Sequence, residues 1–114
     1  MSIDIEKNKM IYYYCYSDDE KWDKIRNIVY GIDKVLKTKD GLIDIIDNIY
    51  TYTTDIYIKY CGKLEKKYKL EMKVFKDRII FTVLNTTEED KEFYDTILYT
   101  IKTLITEKKI LKNI

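Results

Sequence analysis

Two hydrophobic periods run through this chain, and their alternation limits what it can fold into more than any other feature. From Tyr68 to Val74 and from Ile79 to Leu84, apolar and polar residues alternate with a period of two, as in strands with one buried face. The Lys76-Asp77 link between them makes the pair an antiparallel hairpin, with Leu70, Met72 and Val74 facing a core. Between Asp18 and Lys37, by contrast, Trp22, Ile25, Ile28, Val29, Ile32, Val35 and Leu36 recur every three or four residues, which predicts an amphipathic helix introduced by a Ser17/Glu20 capping box. A second capping box, Thr86 with Glu89, opens a terminal helix to about Leu111 whose core stripe is Phe93, Ile97, Ile101, Leu104 and Ile105. One-sided helices and strands bury their apolar faces against each other. The expected fold is therefore α+β, a two-layer sandwich with helices packed on one face of a small, mainly antiparallel sheet, in a single domain over 1–114.

The remaining segments are less one-sided. Ile11 to Tyr16 is dense in aromatic and β-branched side chains and reads as a strand. Thr38-Lys39-Asp40-Gly41 breaks the first helix, and Leu42, Ile45, Ile46, Ile49 and Tyr50 then resume helical spacing, predicting a second helix. The stretch from Thr51 to Tyr60 fits either a strand or a continuation of that helix.

Composition narrows function by exclusion. Apolar residues at 46% and charged residues at 36% suit a folded domain with a solvated surface. The longest apolar run is only Ile11 to Tyr16, so no membrane span or signal peptide is expected and a cytoplasmic location follows. There is no His and only two cysteines, Cys15 and Cys61, which removes His-based nucleophilic catalysis and the common zinc ligand sets; the cysteines read as buried free thiols. The chain also lacks Ala, Pro and Gln, a bias that favours AT-rich codons and a low-GC bacterial, phage or viral genome.

Twelve tyrosines are far more than an ordinary share, although the same codon bias accounts for many of them. Tyr12, Tyr14 and Tyr16 fall on one face of the predicted strand, and amphipathic aromatics in a partly exposed stripe, or at an edge that pairs with another chain, suit a protein interface or a homo-oligomer. The net charge is +1, but Lys63, Lys66, Lys67, Lys69, Lys73 and Arg78 concentrate in the 59–78 region. They form a solvated face or, alternatively, a nucleic-acid contact with Tyr57, Tyr60 or Tyr68 as stacking groups.

One further pattern lies in the predicted second helix. Asp44 and Asn48 stand one turn apart and are followed by Tyr52-Thr53, which resembles the asparagine box of the GHKL ATPase superfamily. The layout is similar to that of small single-domain serine kinases of the SiaB kind, in which a further Asn follows the hairpin, as Asn85 does here. The resemblance implies ATP with Mg as cofactor, Asp44 and Asn48 as cofactor-binding residues and Asn48 as the metal ligand. The chain departs from that pattern at Ile49 and Thr51, and with only Gly31, Gly41 and Gly62 it has no glycine-rich phosphate loop. The leading expectation is a non-catalytic cytosolic regulatory or interaction module that binds another macromolecule, in the first place a protein, such as a phage or viral inhibitor of a host factor. The alternatives are a degenerate GHKL-type ATPase or kinase and a nucleic-acid binder.

Overall fold

The computed structural model describes residues 2–13, 18–46, 49–60 and 64–107. Six strands and two helices follow in the order β1 (Ser2–Glu6), β2 (Lys9–Tyr13), α1 (Asp18–Leu36), β3 (Lys39–Ile46), β4 (Ile49–Tyr60), β5 (Leu64–Val74), β6 (Arg78–Leu84) and α2 (Lys91–Glu107), with a single 3-10 turn at Glu88–Asp90 leading into α2. The strands form one antiparallel sheet in the order β1-β2-β6-β5-β4-β3, so α1 carries the chain from β2 across to the far edge at β3.

Alternation decides which face of the sheet is core. Met10 and Tyr12, Ile79, Phe81 and Val83, Tyr68, Leu70, Met72 and Val74, and Tyr52 and Ile56 all turn to one face and are buried there. Against them α1 lays Ile25, Ile28 and Ile32, and α2 lays Tyr94, Ile97, Leu98, Ile101, Leu104 and Ile105, in one continuous cluster. This is the two-layer α+β sandwich that the two periods require. The solvent side of α2 carries Thr96, Thr100, Thr103 and Thr106, whose hydroxyls donate to the carbonyls four residues earlier at 2.7–2.9 Å. Those bonds satisfy β-branched residues that otherwise favour extended backbone.

Three expectations change. Residues 42–46 and 49–50 are not a second helix: the first belong to β3 and the second open β4, and the open stretch 51–60 continues β4 as a strand. Ile and Thr predominate from Leu42 to Ile58, and β-branched side chains prefer the pleated surface when a neighbouring strand is available to pair. A hairpin of β1 and β2, turning at Lys7-Asn8, precedes the helix. The alternation of Ile3 and Ile5 with Asp4 and Glu6 was its signal. Finally, Thr87 rather than Thr86 caps the 3-10 turn; its carbonyl accepts from the Asp90 amide at 3.0 Å.

Tyr12 also corrects the interface expectation, because it is wholly buried and belongs to the core. β2 is an interior strand between β1 and β6, with one face under the helices. Tyr14 and Tyr16 lie outside the described residues. Tyr12→Ala should destabilise by about 3–5 kcal/mol, as for other large core aromatics, and chemical denaturation measures it; a loss below about 1 kcal/mol would contradict the burial. In the loop that ends α1, Lys37 sits at φ 50° in the left-handed region, where a side chain is strained. Lys37→Gly should raise stability by roughly 0.5–1 kcal/mol, read as an upward shift in melting temperature.

Candidate functional site

Two helices cannot cover six strands. Strands spaced about 4.8 Å apart make a sheet on the order of 25–29 Å wide, whereas two helices side by side span about 20 Å. The uncovered strip falls at β3. Ile43 and Ile45 pair with Tyr52 and Tyr50 and so turn to the same face as the core, yet they are 56% and 65% exposed. Leu42 turns to the other face and is 65% exposed.

The opposite edge is built differently. β1 is five residues long, its Ile3 and Ile5 pack against the core, and Asp4 and Glu6 alternate with them on the exposed face. Short, charged edges resist adding another strand; β3 has charges at Lys39, Asp40 and Asp44 and an irregularity between Lys39 and Leu42, but over 41–45 it presents three exposed aliphatics and one acid.

A groove of about 470 Å³ runs between α1 and this edge, lined by Arg26, Val29, Tyr30, Asp33, Thr38, Gly41, Ile43, Tyr50 and Tyr52. Helical spacing places Trp22, Arg26, Val29, Tyr30 and Asp33 on the flank of α1 that faces β3. Trp22 meets Tyr50 edge-on with ring centroids 5.6 Å apart, and Trp22 and Tyr30 stay 43% and 50% exposed. Burial, and then the neighbouring Tyr52, raise the pKa of the Tyr50 phenol, so it stays neutral and can line an apolar surface. A Cβ at Gly41 would come within 2.9 Å of the Tyr52 hydroxyl, so any larger residue there would have to displace the Tyr52 side chain. Tyr52 lies over the glycine and closes the floor of the groove.

Of the asparagine-box pattern, the described residues Asp44, Tyr52 and Thr53 divide between the two faces of the sheet. Asp44 lies on β3 opposite Thr51, on the face away from the helices, and its carboxylate accepts from the Ile45 amide at 2.9 Å. Tyr52 is buried on the helix face and Thr53 turns to the other. Asn48 lies outside the described residues. Asn85, the further Asn that follows the hairpin in that layout, comes after β6 in the left-handed region at φ 62°.

The basic cluster also divides. Lys67, Lys69, Lys73 and Arg78 stand on the sheet face that no helix covers, each near an acid: Lys67 and Lys69 lie 3.5 and 3.9 Å from Asp55, Lys73 3.8 Å from Glu71, and Arg78 3.5 Å from Asp77. Tyr68 is buried on the opposite face, away from any stacking role beside these cations, and Lys63 lies outside the described residues. Lys66 serves the fold instead. Its ammonium bonds Asp90 at 2.7 Å and stands 5.3 Å from the Phe93 ring centroid, tying the start of α2 to β5.

That ion pair carries a pH dependence. The Lys66 bond holds the Asp90 carboxyl below its ordinary range, and the same bond raises the Lys66 ammonium. A depressed carboxylate pKa stabilises the fold above the unfolded value, about 3.9, and the contribution is lost as pH falls through the folded value. Asp90→Asn should lower the melting temperature at pH 7, with the gap to wild type narrowing below about pH 4. A gap unchanged from pH 7 to pH 3 would show that the pair contributes no stability.

Among the described residues, no group of three or more His, Cys, Asp or Glu is placed to hold a metal ion, and no helix is long and apolar enough to cross a membrane. Sequence reasoning missed the exposed set Trp22, Tyr30, Ile43 and Ile45, although the period-two Ile43 and Ile45 were legible once 42–50 was read as strand. No family model, curated protein or solved structure matches the chain.

Proposed function

We propose that this protein is a non-catalytic cytosolic interaction module that binds a partner protein along the β3 edge and the adjoining groove, and regulates that partner by occupying it. One observation carries the reading: Ile43 and Ile45 lie on the face that is core in the other strands, yet among the described residues no helix covers them. Contiguous apolar surface beside an unpaired strand edge is where protein partners dock, the backbone supplying hydrogen bonds and the side chains specificity. Trp22 and Tyr30 add the aromatic residues that most often anchor such contacts. The uncovered sheet face, whose cations stand beside acids, offers less to a nucleic-acid backbone.

The test compares capture by immobilised wild type with capture by the Ile43→Asp, Ile45→Asp double variant. Both positions are more than half exposed, so the variant should keep its melting temperature within a few degrees while losing the protein that wild type retains from a lysate of its native cells, an untagged copy of this chain included. Capture of the same proteins by both, or of none by either, would refute the reading.

A further inference from the structure

We infer that the occupant of the β3 edge is a second copy of this chain, paired antiparallel with the first about a two-fold axis so that two six-stranded sheets join into one of twelve. The inference rests on the reading of β3 as a docking edge.

The surface supplies its own complement. In a two-fold strand pair the core face of one sheet continues as the core face of the other, so residues opposite each other must have the same facing. Centring the pair on Asp44 sets two carboxylates directly opposite, a destabilising arrangement. Centring it on Leu42 pushes the pairing of Ile45 past the irregularity that breaks the β3 register between Lys39 and Leu42. Centring it on Ile43 keeps the carboxylates apart and needs only the short stretch 41–45, with Gly41 alone inside that irregularity. Ile43 then meets its own copy, Ile45 lies across from Gly41 and against the Tyr52 ring that overlies it, and Asp44 faces Leu42 rather than another acid.

The helices fit the same symmetry. In both copies α1 lies on the core face, with its Trp22 and Tyr30 flank turned toward β3. Across the axis the two flanks face each other above the joined strands and cover the four isoleucines that each sheet alone leaves open. The exposed parts of Trp22, Tyr30, Ile43 and Ile45 on the core face amount to roughly 450 Å² per protomer, or about 900 Å² for the pair, the size of a weak specific interface. A net charge of only +1 per chain sets little electrostatic repulsion against association.

The experiment is sedimentation equilibrium of the full chain at about 0.2 mM, above the Kd expected even of a weak specific interface. Wild type should have twice the chain mass, and Ile43→Asp the chain mass, with the melting temperature that wild type shows at dilutions where the dimer dissociates. In a Cys15→Ser, Cys61→Ser background, Ile43→Cys should cross-link under mild oxidation, because directly opposed strand residues have Cα atoms about 4.5–5.5 Å apart, within disulfide reach. Ile45→Cys should not, since its two copies would lie about 13 Å apart along the strands. A monomeric wild type overturns the second copy while leaving the edge to another protein, provided that the capture experiment yields one; if it yields none, both readings fail. A dimer that Ile43→Asp leaves intact, or that Ile43→Cys does not cross-link, places the contact elsewhere and overturns the inference.

Discussion

The mismatch in width between two helices and six strands governs this molecule. Each strand contributes an apolar row to one face of the sheet, and only what α1 and α2 overlie becomes core. Tyr12, Phe81, Leu70 and Met72 in the middle of the sheet are sealed, Tyr50 and Tyr52 on β4 form a margin, and Ile43 and Ile45 lie beyond it. The exposed aliphatics of β3 thus continue the same apolar face that holds the fold together. Folding and recognition draw on one hydrophobic surface, divided by the edge of a helix.

The two sheet edges show how that division is managed. β1 is short and alternates isoleucine with acid, so its apolar residues reach the core while its charges discourage further pairing. β3 is longer, and of its residues from 41 to 45 only Asp44 is charged. Its neighbour Tyr52 is committed to covering Gly41, which fixes the groove floor without filling the groove. On the far side of the helical layer, Lys66 and Asp90 hold the first turn of α2 against β5, and Tyr68 and Phe93 pack there with ring centroids 6.1 Å apart. With α2 fixed at that end of β5, α1 alone is left to cover the β3 side, and one helix stops short of the edge.

Much of this layout was legible in the residues. The β5-β6 hairpin and the helices from Asp18 and through Phe93 to Ile105 each show a single dominant period, and the structure forms them as expected. The Ile-rich stretch from Leu42 to Tyr50 satisfied two periods together. Leu42, Ile45, Ile46 and Ile49 fit a helix, while Ile43 and Ile45 alternate with Leu42 and Asp44 as in a strand. Local spacing gives no preference between those patterns. β4 decides it, by pairing from Ile49 through Ile46 and onward. The asparagine-box pattern was read on the helical alternative, and Asp44 stands on a strand. Tyr12 was misplaced for a related reason, since whether a strand is interior depends on neighbours that lie far away in sequence.

The sequence by itself determined the elements with one period, the two-layer class that one-sided elements demand, and the chemistry that a chain without histidine lacks. Periodicity is a local property, and short-range sterics and burial suffice to express it. Only the tertiary structure decided the strand order β1-β2-β6-β5-β4-β3, the burial of Tyr12 and the exposure of Ile43 and Ile45. Those depend on which strand ends at the edge and how far two helices reach, and such long-range geometry is not written in the spacing of any one segment.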